Sequence, residues 1–137
     1  MKQKILVLCT GNSCRSQMAE GYFRHLAGDQ FEVTSAGLEP SKVNPQAIQV
    51  MQEDGVDISH HTSKDANQFV GQEFDFIITV CDNAKERCPY FPGQAERIHW
   101  SFEDPAAAKG REAEVLAVFR KVRNQIQERI KEFLNEF

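Results

Sequence analysis

The stretch VLCTGNSCRSQMAE, residues 7–20, joins an apolar run to a segment of helical composition through a loop that contains Gly11 and small polar residues. A strand, such a loop and a helix N-terminus bring several backbone N–H groups together. The positive end of the helix dipole adds to their field. The stretch therefore predicts an anion-binding loop at the carboxyl end of a strand.

Strand-like and helix-like segments alternate along the rest of the chain. The apolar runs KILVLC (residues 4–9) and FDFIITVC (74–81) are rich in β-branched and aromatic residues and predict central strands that are buried on both faces. The shorter and more polar segments FEVTSA (31–36) and ERIHW (96–100) predict edge strands. The sequence thus predicts four strands.

Helices are predicted between and after these strands. Residues 16–26 form the first, and the second has Asn44 as its N-cap, Pro45 in its first position and Gly55 as its stop. In residues 115–137, apolar side chains recur at steps of three or four, which predicts one amphipathic helix. We expect the chain to end on that helix.

The alternation predicts a single α/β domain, residues 1–137, with a four-stranded parallel sheet in the order 2-1-3-4, helices on both faces and right-handed crossovers. In sheets of this type, ligands bind at the carboxyl edge, where the strand order reverses. That point lies between the first and third strands. The loop after Cys9 is expected there.

Composition excludes several classes of function. The net charge is −4 and no cluster of Lys and Arg is dense, so we expect no nucleic-acid partner. The N-terminal apolar run is too short for a signal peptide or a membrane span, so we expect a cytoplasmic protein with no membrane contact. A monomer is also expected. In a reducing compartment, four cysteines indicate redox chemistry or a metal site more readily than structural disulfides.

Cys9, at the end of the first strand, is the candidate nucleophile. A helix N-terminus and the guanidinium of Arg15 both favour the thiolate form of a cysteine, and Arg15 can also bind two oxygens of a tetrahedral oxyanion. The hydroxyl of Ser16 can donate a hydrogen bond to the sulfur. The predicted oxyanion-binding residues are Thr10, Gly11, Asn12, Ser13, Cys14, Arg15 and Ser16.

The segment CTGNSCRSQMAE resembles the phosphate-binding loop of the low-molecular-weight protein tyrosine phosphatase superfamily, and FEDPAA (residues 102–107) resembles its acid loop. The resemblance implies that superfamily's fold. It also implies that Asp104 donates a proton to the leaving oxygen. Arsenate and phosphate are nearly isosteric, so this loop by itself leaves the substrate open.

The other cysteines separate the two substrates. Parallel strands end at the same edge of a sheet, so Cys81 is expected near Cys9, and Cys88 follows seven residues later. A phosphatase needs neither thiol. Reduction of a covalent arsenic adduct by two electrons needs a second thiol to attack the first and a third to clear the resulting disulfide.

Together with GNSCRSQMAEG, SAGLEPSKVNPQAI, DGVDISHHTS, CDNAKERCP and HWSFEDPA, the cysteines resemble those of the thioredoxin-coupled arsenate reductases along essentially the whole chain. The resemblance implies that Cys9 attacks arsenate while Arg15 and the loop amides hold the oxygens and Asp104 assists loss of water or hydroxide. Cys81 then attacks Cys9 and arsenite leaves. Cys88 attacks Cys81, and thioredoxin reduces the Cys81–Cys88 disulfide. No cofactor is expected, and phosphate or sulfate is expected to compete.

Two other functions stay open. One is a phosphatase for phosphotyrosine or a small phosphate ester, although three alanines, residues 106–108, stand where phosphatases of the family usually carry a tyrosine-containing segment. The other is a non-catalytic thiol redox or arsenite-binding module. A zinc site is disfavoured because the spacings Cys9-x4-Cys14 and Cys81-x6-Cys88 depart from the usual short ones, so no metal is expected.

The remaining candidates are given structural roles. Cys14 is assigned to shaping the loop, and Tyr90 and Trp100 are expected to pack near the site. The histidines form no ligand pattern and are interpreted as surface or packing residues; they are His25, His60, His61 and His99.

The sequence departs from the resembled family at one position. Several members carry a potassium ion held by residues that match Asn12, Glu20 and Thr62, plus an aspartate where this chain has Lys64. We expect the Lys64 ammonium to reach Glu20 and to replace the charge of the metal. In the alternative, Lys64 points into water and the neighbouring Asp65 keeps the ion.

Overall fold

The computed structural model describes residues 2–89 and 91–137. Within them, four strands form one parallel sheet in the order β2-β1-β3-β4, which confirms the predicted topology. The strands are β1 (Gln3–Cys9), β2 (Phe31–Gly37), β3 (Phe76–Thr79) and β4 (Glu96–His99). As predicted, β1 and β3 are central and the two more polar strands lie at the edges. The expectation for Tyr90 lies outside the described residues.

Helices connect the strands. The α-helices of the described residues are α1 (Arg15–Ala27), α2 (Pro45–Glu53), α3 (Asp82–Glu86) and α4 (Glu112–Leu134), and short 3₁₀ turns span Ala66–Phe69 and Pro105–Ala107. The start of α2 is as predicted, because the Asn44 side chain accepts a hydrogen bond from the Gln46 N–H at 2.8 Å. None of these helices is both long and apolar enough to cross a membrane.

Several predicted boundaries are wrong by one to three residues: β3 starts at Phe76 instead of residue 74, β4 ends at His99 instead of residue 100, and α4 starts at Glu112 instead of residue 115. The third strand ends at Thr79 instead of Cys81, because Cys81 is the N-cap of α3 and its sulfur accepts from the Ala84 N–H. The last helix ends at Leu134, so Phe137 lies beyond it and is 55% exposed.

The core lies between the sheet and the helices. The stripe of α4 that was predicted from its periodicity is buried from Phe119 to Phe133. The Phe133 ring contacts those of Phe23, Phe76 and Trp100 at centroid distances of 5.8, 5.3 and 5.8 Å. Trp100 also meets Phe102 edge to face at 6.5 Å and thereby joins the core to the loop that follows β4. This packing joins α1, β3 and α4 to the loop that follows β4.

Gly37, the last residue of β2, is the register partner of Cys9. A Cβ at this position would lie 2.6 Å from the Thr10 carbonyl oxygen and 2.8 Å from the Asn12 amide nitrogen. Both atoms belong to the backbone and cannot rotate away. Only glycine lets β2 approach the loop after β1 so closely.

We predict that Gly37→Ala lowers the free energy of unfolding by about 1–3 kcal/mol, because the backbone of the loop must shift. The measurement is urea unfolding, together with the affinity for phosphate. Gly71→Ala is the matched control, since a Cβ there meets nothing within 4 Å. Equal stability of the two variants would contradict the close approach at Gly37.

Candidate active site

The loop between β1 and α1 lies at the predicted reversal of strand order. Cys9, the last residue of β1, is 3% exposed, and its sulfur accepts a hydrogen bond from the Asn12 amide at 3.1 Å and lies 2.8 Å from the Ser16 hydroxyl oxygen. Asn12 has a φ of 49°, in the left-handed region that asparagine tolerates better than most residues. The loop therefore curls around the thiol.

The carbonyl oxygens of the loop are bound from outside it. The donors are Leu38 N for Cys9, Glu39 N for Thr10, Ser41 N and Ser63 Oγ for Gly11, Gln17 Nε2 for Asn12, and Asn44 N for Ser13. In a planar trans peptide the N–H points away from the C=O. The amides of the loop consequently face its interior, which can hold a tetrahedral oxyanion beside Cys9.

Arg15 and Asp104 meet at the mouth of the loop. The Arg15 guanidinium donates to the Phe102 carbonyl at 3.0 Å and lies 3.7 Å from an Asp104 carboxylate oxygen. The other Asp104 oxygen accepts from the Ala106 N–H at 3.0 Å, as the N-cap of the turn Pro105–Ala107. The structure thus brings the predicted nucleophile, oxyanion-binding arginine and acid to one side of the sheet edge.

A directed chain of hydrogen bonds supports the thiol from behind. The Asn12 side-chain amide donates to the hydroxyls of Ser16 at 2.8 Å and Ser35 at 2.9 Å. Each hydroxyl keeps its own hydrogen, so Ser16 can donate to the Cys9 sulfur, and Ser35 donates to Glu20 at 2.6 Å. Glu20 is thereby linked through hydrogen bonds to Cys9, the predicted nucleophile.

Glu20 is a buried carboxylate surrounded by basic groups. Its side chain is 4% exposed; Arg24 Nε lies 3.0 Å from it, and Lys64 Nζ and His61 Nε2 each lie 3.7 Å from it. Burial is the largest cause that lowers the pKa of His61, so at neutral pH the positive charge here comes from Arg24 and Lys64. A buried carboxylate requires such partners.

Lys64 takes the position predicted for it. Its ammonium donates to the Thr62 carbonyl at 2.9 Å, and its backbone N–H donates to the Asn12 side-chain oxygen at 2.8 Å. Asp65, the alternative ion ligand, instead accepts from the Asn67 N–H at 2.9 Å. The oxygens that match the potassium ligands of the resembled family, those of Asn12, Glu20 and Thr62, thus already contact Lys64. They do not fit a potassium ion, because an ammonium already lies against Glu20. Within residues 2–89 and 91–137, no group of three or more His, Cys, Asp or Glu side chains could hold a metal ion.

Cys81 lies beside the loop, as predicted. It is 5% exposed, and its sulfur lies 3.4 Å from the Thr10 hydroxyl oxygen and 3.4 Å from the Ala84 amide. The Asn83 side chain donates to the Thr10 oxygen at 2.9 Å. This leaves the hydroxyl hydrogen of Thr10 free to point at the Cys81 sulfur.

Cys88 lies further out, beyond the C-terminal cap of α3. It is partly buried, and its sulfur accepts a hydrogen bond from the Arg97 guanidinium at 3.3 Å. It lines a pocket of about 340 Å³ together with Thr79 and Lys85. Cys88 is therefore the most accessible of the four free thiols.

Cys14 differs from the other cysteines. It is 4% exposed, and burial raises the pKa of its thiol to about 12. It therefore stays protonated near neutral pH and is a poor nucleophile. This is consistent with the loop-shaping role predicted for it.

Sequence reasoning missed part of the site. His61 and His99 were interpreted as surface or packing residues, yet His61 contacts Gln17 and Glu20, and His99 contacts Thr79 and Asp82. Ser35 and Gln17 also hold the loop, and neither has a distinctive spacing from Cys9. Only for His99 was there a signal that could have placed it near the site. It lies in the predicted fourth strand, and in the parallel pairing of β3 and β4 it is the register partner of Thr79.

The chain is similar to known proteins over nearly its whole length. The family model for low molecular weight phosphotyrosine protein phosphatase matches residues 4–137. A protein of Halalkalibacterium halodurans named arsenate reductase is 50% identical over 132 residues, covering 96% of this chain and 95% of that one. One of Bacillus subtilis with the same name is 46% identical over 134 residues, covering 97% and 96%. A solved structure described as an arsenate reductase in the phosphate binding state has a TM-score of 0.84 at 38% identity and covers 98% of both chains. The resemblance inferred from the motifs is confirmed.

The position of Lys64 generates a prediction about ions. We expect the melting temperature to be the same in potassium and in sodium at equal ionic strength, because the ammonium already occupies the place of a cation. Lys64→Asp should make the melting temperature rise specifically with potassium.

Lys109→Asp is the control for the change of charge, since Lys109 is exposed on the protein surface. A potassium-specific stabilisation of the unmodified protein would show that an ion binds despite Lys64.

Proposed function

Because the chain belongs to the low molecular weight phosphotyrosine protein phosphatase family, we propose that it reduces arsenate to arsenite in the cytoplasm by a relay of Cys9, Cys81 and Cys88 that thioredoxin resets. The observation that carries the proposal is the position of Cys81, whose sulfur lies 3.4 Å from the hydroxyl of the residue next to Cys9. A phosphatase mechanism leaves this thiol without a task. The relatives named arsenate reductase support the choice of substrate.

The first step forms a bond between sulfur and arsenic. The Cys9 thiolate attacks arsenate, whose oxygens are held by the inward amides of the loop and by Arg15. A hydroxide leaves as water when it takes a proton from Asp104. Arsenic stays in the +5 state at this stage. The hydrogen bonds to Cys9 from Asn12 and Ser16 hold the sulfur in line for this attack.

The second step transfers two electrons. The Cys81 thiolate attacks the Cys9 sulfur, and a disulfide forms between them. The electron pair of the broken sulfur–arsenic bond stays on arsenic, which leaves as arsenite in the +3 state. Thr10 stabilises the attacking thiolate through its hydroxyl, which Asn83 orients.

The third step moves the disulfide outward. The Cys88 thiolate attacks Cys81, Cys9 leaves as a thiolate, and a Cys81–Cys88 disulfide remains. A dithiol protein then reduces it by exchange, with thioredoxin as the proposed reductant. The partial exposure of Cys88 beside its pocket gives such a protein access to this pair.

Residual cleavage of phosphate esters is a second proposed activity. The loop, Arg15 and Asp104 suit phosphate as well as arsenate, and the family model that matches the chain is that of a phosphatase. Such cleavage needs Cys9 and the acid but neither Cys81 nor Cys88. A non-catalytic arsenite-binding module would need the thiols without Asp104, which here lies beside Arg15.

Cysteine variants separate these functions. Cys9→Ser should abolish both arsenate reduction and ester cleavage. Cys81→Ser and Cys88→Ser should lower arsenate turnover by at least about 100-fold, because the disulfide relay stops. Ester cleavage by these two variants should stay within about threefold of the unmodified protein.

The assay is arsenate-dependent NADPH consumption with thioredoxin and thioredoxin reductase, alongside hydrolysis of p-nitrophenyl phosphate. A parallel assay with glutaredoxin identifies the reductant. Equal loss of ester cleavage in all three variants would refute the relay, and thiol consumption that stops after one equivalent would indicate a non-catalytic module.

Oxidation should also rearrange α3. Cys81 precedes and Cys88 follows this five-residue helix, which by itself spans about 7 Å at ~1.5 Å of rise per residue. A disulfide spans only about 4.4–6.8 Å between Cα atoms. We therefore expect faster amide exchange in residues 82–89 after oxidation, measured by NMR or mass spectrometry on both redox forms. Unchanged protection of this segment would rule out the Cys81–Cys88 disulfide.

A further inference from the structure

We propose that His99 is a positioning residue for Cys81, the second thiol of the proposed relay. His99 is the last residue of β4 and the register partner of Thr79, the last residue of β3. Its Nδ1 lies 2.7 Å from the Thr79 hydroxyl oxygen and its Nε2 lies 2.9 Å from an Asp82 carboxylate oxygen. These two partners flank residues 80–81. One imidazole therefore bridges both sides of the turn that carries Cys81. We call this bridge from His99 to Thr79 and Asp82 the clamp.

Hydrogen-bond chemistry fixes the orientation of the clamp. An ionised carboxylate can only accept, so Nε2 carries the proton that it donates to Asp82. In the neutral ring Nδ1 then accepts, and the Thr79 hydroxyl donates to it. Ser101 donates to the same Asp82 oxygen at 3.3 Å. The hydrogen bond from His99 is the largest cause that lowers the pKa of Asp82, which keeps the carboxylate charged.

The clamp matters because α3 is short. An isolated helix of five residues, Asp82–Glu86, is unstable in water, so its first turn depends on anchors outside it. His99 supplies the anchor from the neighbouring strand. At the other end, Arg87 pairs with Glu39, and both side chains are at least half exposed. Asp82 is exposed as well, and Arg97 donates to the Cys88 sulfur. The difference lies in burial: Cys81 is 5% exposed and Cys88 is only partly buried, so the structure holds the Cys81 end of the segment more firmly than the Cys88 end.

This arrangement suits the third step of the relay, on which the proposal rests. Cys81 must stay beside Cys9 to receive the disulfide and must also meet Cys88. If the Cys81 end is fixed, the segment can unwind from the Cys88 end without moving the disulfide away from the loop. Loosening the clamp should therefore slow the relay while making the buried Cys81 sulfur easier to reach.

The first measurement is steady-state arsenate reduction by His99→Phe, which keeps a ring but removes both nitrogens. We expect kcat to fall about tenfold while KM for arsenate stays within about twofold, because the oxyanion loop is untouched. Asp82→Asn, at an exposed position, should give a smaller decrease in the same direction. His25→Phe is the matched control, since His25 is exposed on α1.

The second measurement does not depend on arsenate. In a protein whose only cysteine is Cys81, made with Cys9→Ser, Cys14→Ser and Cys88→Ser, we measure the rate of reaction with the neutral disulfide 2,2′-dithiodipyridine. His99→Phe should raise this rate about tenfold, since Cys81 is only 5% exposed when clamped. A merely destabilised protein would lose turnover and gain labelling in proportion to its unfolded fraction, which urea unfolding measures.

The outcomes are distinguishable. An unchanged labelling rate in both His99→Phe and Asp82→Asn would overturn the clamp, whether or not the protein reduces arsenate. Absence of arsenate reduction in the unmodified protein would instead refute the proposed function and leave the labelling rate to decide the role of His99. If His99→Phe does not fold, Asp82→Asn decides alone.

Discussion

The structure depends on the outward binding of the carbonyl oxygens in the loop after β1. Five successive carbonyls, those of residues 9–13, accept hydrogen bonds from outside the loop. Most of the donors are backbone amides between β2 and α2, a segment that reaches the loop only because Gly37 has no side chain. A peptide unit that is held at its oxygen presents its N–H to the opposite side. The loop amides are therefore already directed to its interior, and for the proposed oxyanion site this lowers the cost of organising it during catalysis.

A second constraint is charge balance behind the loop. Burial of the Glu20 carboxylate is unfavourable without compensation, and Arg24 and Lys64 supply it within 3.0 and 3.7 Å. The same carboxylate accepts from Ser35, which fixes the direction of the hydrogen bonds that run through Asn12 towards Cys9. Lys64 contributes twice, through its ammonium and through its backbone amide. The partners of Glu20 and the hydrogen bonds to Cys9 thus belong to one polar network.

The edge of the sheet brings the thiols together. Cys9 ends β1 and Cys81 follows β3, and the two strands are neighbours in register. The fold alone would serve a phosphatase equally well, since folds of this type support more than one chemistry. In this chain a short helix separates Cys81 from Cys88, and β4 contacts it at both ends, through His99 to Asp82 and through Arg97 to Cys88. A segment of low intrinsic stability is suited to a step that requires movement.

The sequence by itself was enough to predict the strand order, which the structure confirms, and the position of the loop and of the candidate thiols. These features depend on local patterns, namely hydrophobic periodicity, a glycine-containing turn and the position of cysteines at strand ends. The Asn44 cap and the buried stripe of α4 follow from the same local rules. The ends of β3 and α4 were misplaced by two or three residues, because capping at Cys81 and the end of the last helix are decided by specific hydrogen bonds.

Only the tertiary structure decided which polar side chains act together. Ser35, His61 and His99 are distant in sequence from Cys9, and nothing in their local sequence distinguishes them from surface residues. Their roles come from the register of parallel strands and from the burial of Glu20, which forces nearby donors and cations to converge. Lys64 is an intermediate case, since a family resemblance predicted its position and the fold supplied its contact. Such hydrogen bonds form or fail when the distance between donor and acceptor changes by a few tenths of an ångström, and that distance is set by the packing of the whole chain.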